Sequence, residues 1–145
     1  MRIFVLLAVS LLTLSCAKEP SDLSTPLVGN WQLIRISSED GSIMDSDYPE
    51  NVRITFRTRA FLGDTGRNEF FGRYQVSGDS RLIFDDFGNS EVAESELGSA
   101  FFQAFLQGYD AERKQFELVF WFEGNLLYLQ AGASTLVFEP FFLGI

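Results

Sequence analysis

From Leu27 onward, apolar and polar residues alternate along most of the chain with a period of two. The stretch Trp31 to Ile36 (WQLIRI) is strand-like. In the next, Val52, Ile54 and Phe56 share one face while Arg53, Thr55 and Arg57 share the other. FFGRYQVSG sets Phe70, Gly72, Tyr74 and Val76 inward against Phe71, Arg73, Gln75 and Ser77, and RLIFDD continues after a turn at Gly78-Asp79. Later, Phe116, Leu118, Phe120 and Phe122 fall on one face. A turn at Glu123-Gly124-Asn125, a strand from Leu126 to Gln130, a turn around Gly132 and a strand from Thr135 to Glu139 follow. Successive side chains of a strand point to opposite faces, so this pattern predicts half-buried strands. The glycine turns between them predict an antiparallel meander.

One segment breaks the two-fold period. In ESELGSAFFQAFLQG, Leu97, Phe101, Ala104 and Phe105 recur at helical spacing, and Gly108 offers a left-handed terminating position. Phe102 and Leu106 widen the apolar arc to roughly 200°, about twice the stripe of a surface helix. Such a helix needs cover on two sides. The expected fold class is therefore α+β, a small antiparallel barrel-like sheet with one helix packed across or into its open side.

The stretch GDTGRNEFFGRY, Gly63 to Tyr74, could suggest a phosphate-binding loop. A phosphate loop needs its glycines followed at once by a helix, whose free N–H groups meet the anion. Here a strand pattern follows, which predicts a turn instead. In that turn Gly63 and Gly66 take positive φ, Asn68 tolerates the left-handed region and its amide should hydrogen-bond neighbouring backbone, and Gly72 admits a ring or backbone against its strand.

The amino terminus has its own pattern. Met1-Arg2 precedes an apolar run from Ile3 to Leu14 that is too short to span a bilayer of roughly 30 Å as a helix. Thr13, Leu14 and Ser15 then lead into Cys16, with Leu12 behind them, and this order resembles the lipobox of bacterial lipoproteins. The resemblance implies a signal peptide over residues 1–15, acylation of Cys16, a polar tether over residues 16–26 and a folded domain over residues 27–145. It also implies attachment to the membrane through lipid, in a bacterial cell envelope. By resemblance to the sorting signals of enteric bacteria, Ala17 in place of an aspartate implies the outer membrane, on its periplasmic or surface face. AKEP faintly resembles a surface-export signal.

Composition narrows the function classes. The chain has 145 residues, sixteen of them Phe, with one Cys and no His. Without His there is no Ser-His-Asp or Cys-His nucleophile, and the commonest zinc ligand is missing. A lone Cys in an exported chain cannot form an internal disulfide. The formal net charge of −9 argues against nucleic acid as a partner, because counterion release needs a basic face.

The order Gly29-x-Trp31-x-Leu33, Ile54-x-Phe56, then Gly63-x-x-Gly66-x-Asn68-x-Phe70-x-Gly72-x-Tyr74 resembles the META domain of HslJ-like bacterial lipoproteins. The family places a helix next, matching Leu97 to Gln107, and ends on strands like Leu126 to Leu129 and Leu136 to Phe138. Many members carry Cys before the Asn, where this chain has Arg67, so no thiol role carries over. The resemblance implies a small barrel-like α+β domain without conserved catalytic chemistry. It further implies a link to envelope integrity and to heat or antibiotic stress, with a protein or an apolar segment bound. Lipocalin-like lipoproteins also open with Gly-x-Trp, and that resemblance would imply a carrier of a small apolar ligand.

Remaining candidate chemistry is sparse, with no catalytic set, no cofactor and no metal expected. Asp40, Asp45, Asp47 and Glu50, or Asp85, Asp86, Asn89 and Glu91, could offer oxygens to calcium, but neither cluster has EF-hand spacing. Both read equally as solvated loops. Arg57, Arg59, Arg67 and Arg73 read as solubilising side chains, or as a cationic patch for an acidic partner. Val119 and Trp121 sit opposite the inward Phe row, under the helix or in an exposed patch. The apolar tail Phe141 to Ile145 either closes one end of the barrel against Phe102 and Leu106 or marks a contact surface.

Overall fold

The computed structural model describes residues 26–46 and 51–142. Its strands are β1 (Gly29–Ser38), β2 (Ile43–Asp45), β3 (Arg53–Phe56), β4 (Ala60–Asp64), β5 (Glu69–Ser77) and β6 (Arg81–Asn89). A helix, α1 (Glu96–Leu106), separates them from β7 (Tyr109–Asp110), β8 (Gln115–Glu123), β9 (Leu126–Ala131) and β10 (Ser134–Pro140). Every pairing is antiparallel. The path β1-β3-β4-β5-β6-β8-β9-β10 returns to β1, so these eight strands close into a barrel, and β2 and β7 are short additions on β1 and β8. Closure leaves no open sheet edge along the ring to recruit another strand.

Two irregularities tune which side chains enter the barrel. The register of β1 against β10 shifts between Leu33 and Arg35, so both Leu33 and Ile36 are buried although three positions apart. On β6 the register shifts near Asp85, where Arg73 faces Asp86 but Tyr74 faces Phe84. Phe84 and Phe87 thus both point inward. A bulge changes the phase of a strand by one residue, which simple alternation does not foresee.

The interior is built from rings. Phe61 meets Phe84 edge-on at 4.9 Å between centroids, Phe56 meets Tyr74 at 5.1 Å, and Phe87 stacks on Phe105 at 5.2 Å. Helix α1 contributes Phe101 to Phe70 at 5.2 Å and Phe105 to Phe84 and Phe116 at 5.2 and 5.0 Å. Register places α1 at the end of the barrel that holds the β4–β5 and β9–β10 turns, and there the Gln107 side-chain oxygen accepts from the Ala133 N–H at 3.1 Å. The helix therefore closes one mouth. At the other, Leu27 is fully buried and its carbonyl accepts from the Trp31 indole at 2.8 Å.

Several expectations need correction. Gly63 is not in a turn: it lies in β4, without positive φ, and a Cβ there would meet the Phe70 ring at 2.1 Å. Asn68 is not left-handed, since Lys114 alone has that conformation among described non-glycine residues. Gly108 is not left-handed either. It is small because a Cβ would stand 2.9 Å from Leu118 and 3.0 Å from the Glu117 carbonyl. Leu106 is 55% exposed, so the buried arc of α1 is narrower than its apolar sequence suggests. Of the two places left open for Trp121, it takes the outer one, stacked on Tyr128 at 5.1 Å, with no helix over it among the described residues. Phe141 is at the mouth opposite α1, its N–H donating to Asn30 at 2.8 Å, so it does not pack on Phe102 or Leu106. Leu143 to Ile145, Cys16, the tether to residue 25, and Asp47 and Glu50 lie outside the described residues.

Candidate functional site

The glycine-rich motif folds into a latch. Gly66, φ +79°, turns the chain between β4 and β5, and its N–H donates to the Asp64 carboxylate at 3.1 Å. The turn closes through the Thr65 N–H on the Asn68 carbonyl at 2.9 Å. This brings the buried Asn68 amide against the segment that leads into α1. Its oxygen accepts from the Val92 N–H at 2.7 Å and the Ser90 hydroxyl at 2.9 Å; its nitrogen donates to the Val92 carbonyl at 2.7 Å and to the Glu94 carboxylate.

Glu94 also accepts from the Thr65 hydroxyl at 2.8 Å, and Gly98 of α1 leaves it room: a Cβ there would stand 2.0 Å from the carboxylate. Ser95 caps the helix, its hydroxyl accepting from the Gly98 N–H at 3.0 Å. An anion at that terminus is favoured by the free N–H groups and the helix dipole. The polar capacity of Asn68 is spent inside the fold. The arrangement joins turn to helix and presents no free nucleophile or base.

The other motif residues are placed by packing. Phe70 is fully buried beneath Phe101, and Tyr74 is buried with its hydroxyl donating to the Arg57 carbonyl at 2.5 Å. At Gly72 a Cβ would stand 1.8 Å from the Asp86 carbonyl, so only glycine lets β5 and the bulged β6 approach. Gly29 opens β1 opposite Phe56, and Trp31 tilts against Phe122 at 5.9 Å.

The acidic candidates disperse. Asp45 pairs with Arg35 at 2.7 Å and Asp86 with Arg73 at 3.6 Å. The Ser42 hydroxyl first, and then the Ser42 N–H donating at 2.9 Å, hold the Asp40 carboxyl below the ordinary range. Among the described residues, no group of three or more His, Cys, Asp or Glu could hold a metal ion. The most connected charge, missed in the sequence, is Glu117 on β8, which meets both Arg113 (2.6 Å) and Arg81. Hydrogen bonds from Arg113 first, then Arg81, lower its pKa. Arg113 is four residues away but Arg81 is 36, so no motif announces the pair of contacts.

One open cleft of about 200 Å³ lies on the outer wall. Asn30, Arg53, Thr55, Leu62, Asp64 and Phe141 surround it. The Arg53 guanidinium lies 4.4 Å from the Phe141 ring centre, a cation–π contact.

A META domain profile matches residues 25–139. The chain belongs to the META domain family. Among curated proteins, none matches it. The META barrel is similar to a protein from Burkholderia xenovorans solved by NMR, with a TM-score of 0.60 at 18% identity, covering 94% of this chain and all of that one. It is also similar to a lipocalin-like protein from Bacteroides uniformis (TM-score 0.56, 20% identity, 80% and 99% covered). A third similar structure, from Bacteroides eggerthii, has a TM-score of 0.50 at 16% identity and covers 79% of this chain and 98% of that one. At these identities the likeness is one of fold.

Proposed function

We propose that this META protein is a bacterial envelope lipoprotein, acylated at Cys16, whose barrel works without catalysis. It binds a protein or an apolar segment at its outer surface and so supports the envelope. The observation that carries this reading is the occupied interior: Phe70, Phe84, Phe101 and Phe105 are each at most 1% exposed and touch one another across the barrel. A carrier needs an enclosed apolar space of some 300 Å³ or more for a drug-sized ligand. Here side chains occupy that place, and the outer wall carries the exposed apolar groups.

The second reading, a lipocalin-like carrier of a small apolar ligand, has one observation in its favour, the fold shared with the Bacteroides uniformis protein. A native mass spectrum of protein purified without detergent exchange separates the two. A mass equal to the processed chain plus acyl groups supports the outer-surface reading; a stoichiometric extra molecule, released by organic solvent, overturns it. For the anchor, Cys16→Ala should move the protein from the membrane to the soluble fraction. An intact mass with an unmodified Cys16 contradicts the anchor.

A further inference from the structure

Register maps the outer wall of β3, β4 and β5, because alternate residues face out. The row nearest the mouth opposite α1 is Arg57, Ala60 and Arg73; the next is Thr55, Leu62 and Phe71. Leu62 and Phe71 are cross-strand neighbours, 48% and 56% exposed. Phe71 extends over Gly88 of β6, whose missing side chain leaves space for the ring. At the adjoining rim, exposed Val28 precedes the Gly29–Phe56 pair and so neighbours Arg57, and Phe142 follows the Phe141–Asn30 hydrogen bond with 84% of its surface free.

Charge sorts onto the same wall. The whole chain carries −9, yet Arg53, Arg57, Arg59, Arg67 and Arg73 fall within one stretch that holds only Asp64 and Glu69 as acids. Arg53 is covered by Phe141, Arg67 donates to the Ala93 carbonyl at 3.4 Å, and Arg73 faces Asp86. Arg57 and Arg59 are exposed and make no ion pair among the described residues. The acids of this end are Asp85 and Asp86 on β6, beside Arg73, and Asp79, Glu123 and Glu139 on the β5–β6 turn, β8 and β10, so β3 and the β3–β4 turn carry the unpaired positive charge.

We propose that this basic, apolar-studded wall lies against an anionic phospholipid bilayer, with Arg57 and Arg59 meeting lipid phosphates and Val28, Leu62, Phe71 and Phe142 entering the headgroup layer. The inference rests on the lipid-anchored reading for its geometry. The chain enters the domain at the same mouth, and ten residues of tether from Cys16 reach at most about 35 Å, so the rim stays within that distance of the lipid and can reach it. Apolar side chains set among basic ones suit an interface between water and lipid. The closed ring offers a bound peptide no unpaired strand edge, and the cleft of about 200 Å³ beside Leu62 is smaller than the roughly 300 Å³ at which ligand pockets begin. Each basic residue held at an anionic surface contributes on the order of a fivefold gain.

The test is amide hydrogen exchange on the full-length protein as isolated, bound to vesicles of phosphatidylcholine alone or with added phosphatidylglycerol. Residues 57–60 should exchange about fivefold or more slowly on the anionic vesicles only, an effect that ~1 M salt removes, since the Debye length there is about 3 Å. Arg57→Glu with Arg59→Glu should abolish the protection while α1 exchanges unchanged, which shows the fold intact. Equal exchange on both vesicles, or protection that survives the double reversal, overturns the proposal. So does protection that needs a co-purifying protein. The mass of the Cys16 peptide, read in parallel, reports separately on the anchor: an unmodified Cys16 defeats that reading, while the charge dependence still decides the docking.

Discussion

At the scale of single residues, the motif does its work through space and hydrogen bonds. Gly72→Ala sets a methyl group 1.8 Å from the Asp86 carbonyl, and backbone cannot yield cheaply. The expected cost is about 3 kcal/mol or more, read by chemical denaturation. Gly66→Val forces a β-branched residue to φ +79° and should cost roughly 1–3 kcal/mol. Asn68→Ala strips partners from Val92 and Glu94 together and should cost on the order of 3 kcal/mol. Asn68→Asp makes a sharper test, because it sets a second carboxylate against Glu94. Two such groups cannot both ionise easily, so one folded-state pKa rises above its unfolded value. The folded state then holds the extra proton, and the variant should lose stability as pH rises from 5 to 8, which the parent should not do in the same measure. A pH-independent cost would show that the two side chains do not meet in solution.

At the scale of elements, α1 is the piece that turns an open-ended barrel into a closed one. Phe105 touches rings from β6 and β8, so Phe105→Ala should cost about 3–5 kcal/mol and lower the melting temperature by ten degrees or more. Of this architecture, the strands with clean alternation were legible in the sequence, as was the helix from Leu97, Phe101, Ala104 and Phe105. Strand β4 was not, because AFLGD turns Leu62 to solvent and glycine inward, the reverse of the usual signal. The β6 bulge hid Phe87 from a two-fold reading, and Glu94 was invisible because its partners Thr65 and Asn68 lie 26 or more residues away. Glu117 was hidden because its second partner, Arg81, lies 36 residues away. Its lowered pKa means that its share of stability is complete above the ordinary carboxylate range and fades as pH falls through the depressed value. Glu117→Gln should therefore flatten the acid limb of the stability profile.

For the whole molecule, the central claim is that this META barrel has its interior occupied by its own aromatic side chains and meets its partners on the outside. Aromatic density made a packed core foreseeable, and the wide apolar arc of α1 put the helix across or into the open side; which rings it meets there, Phe70, Phe84, Phe87 and Phe116, only the assembled structure reveals. The most direct measurement is titration of the purified protein with a fluorescent apolar probe, beside the Phe105→Ala variant as a positive control. Removing that ring from a closed core leaves an apolar cavity that a small ligand can enter. The account predicts no saturable uptake by the parent and one-to-one uptake by the variant. One-to-one, saturable uptake by the parent at micromolar probe would contradict it, because the barrel would then be a carrier.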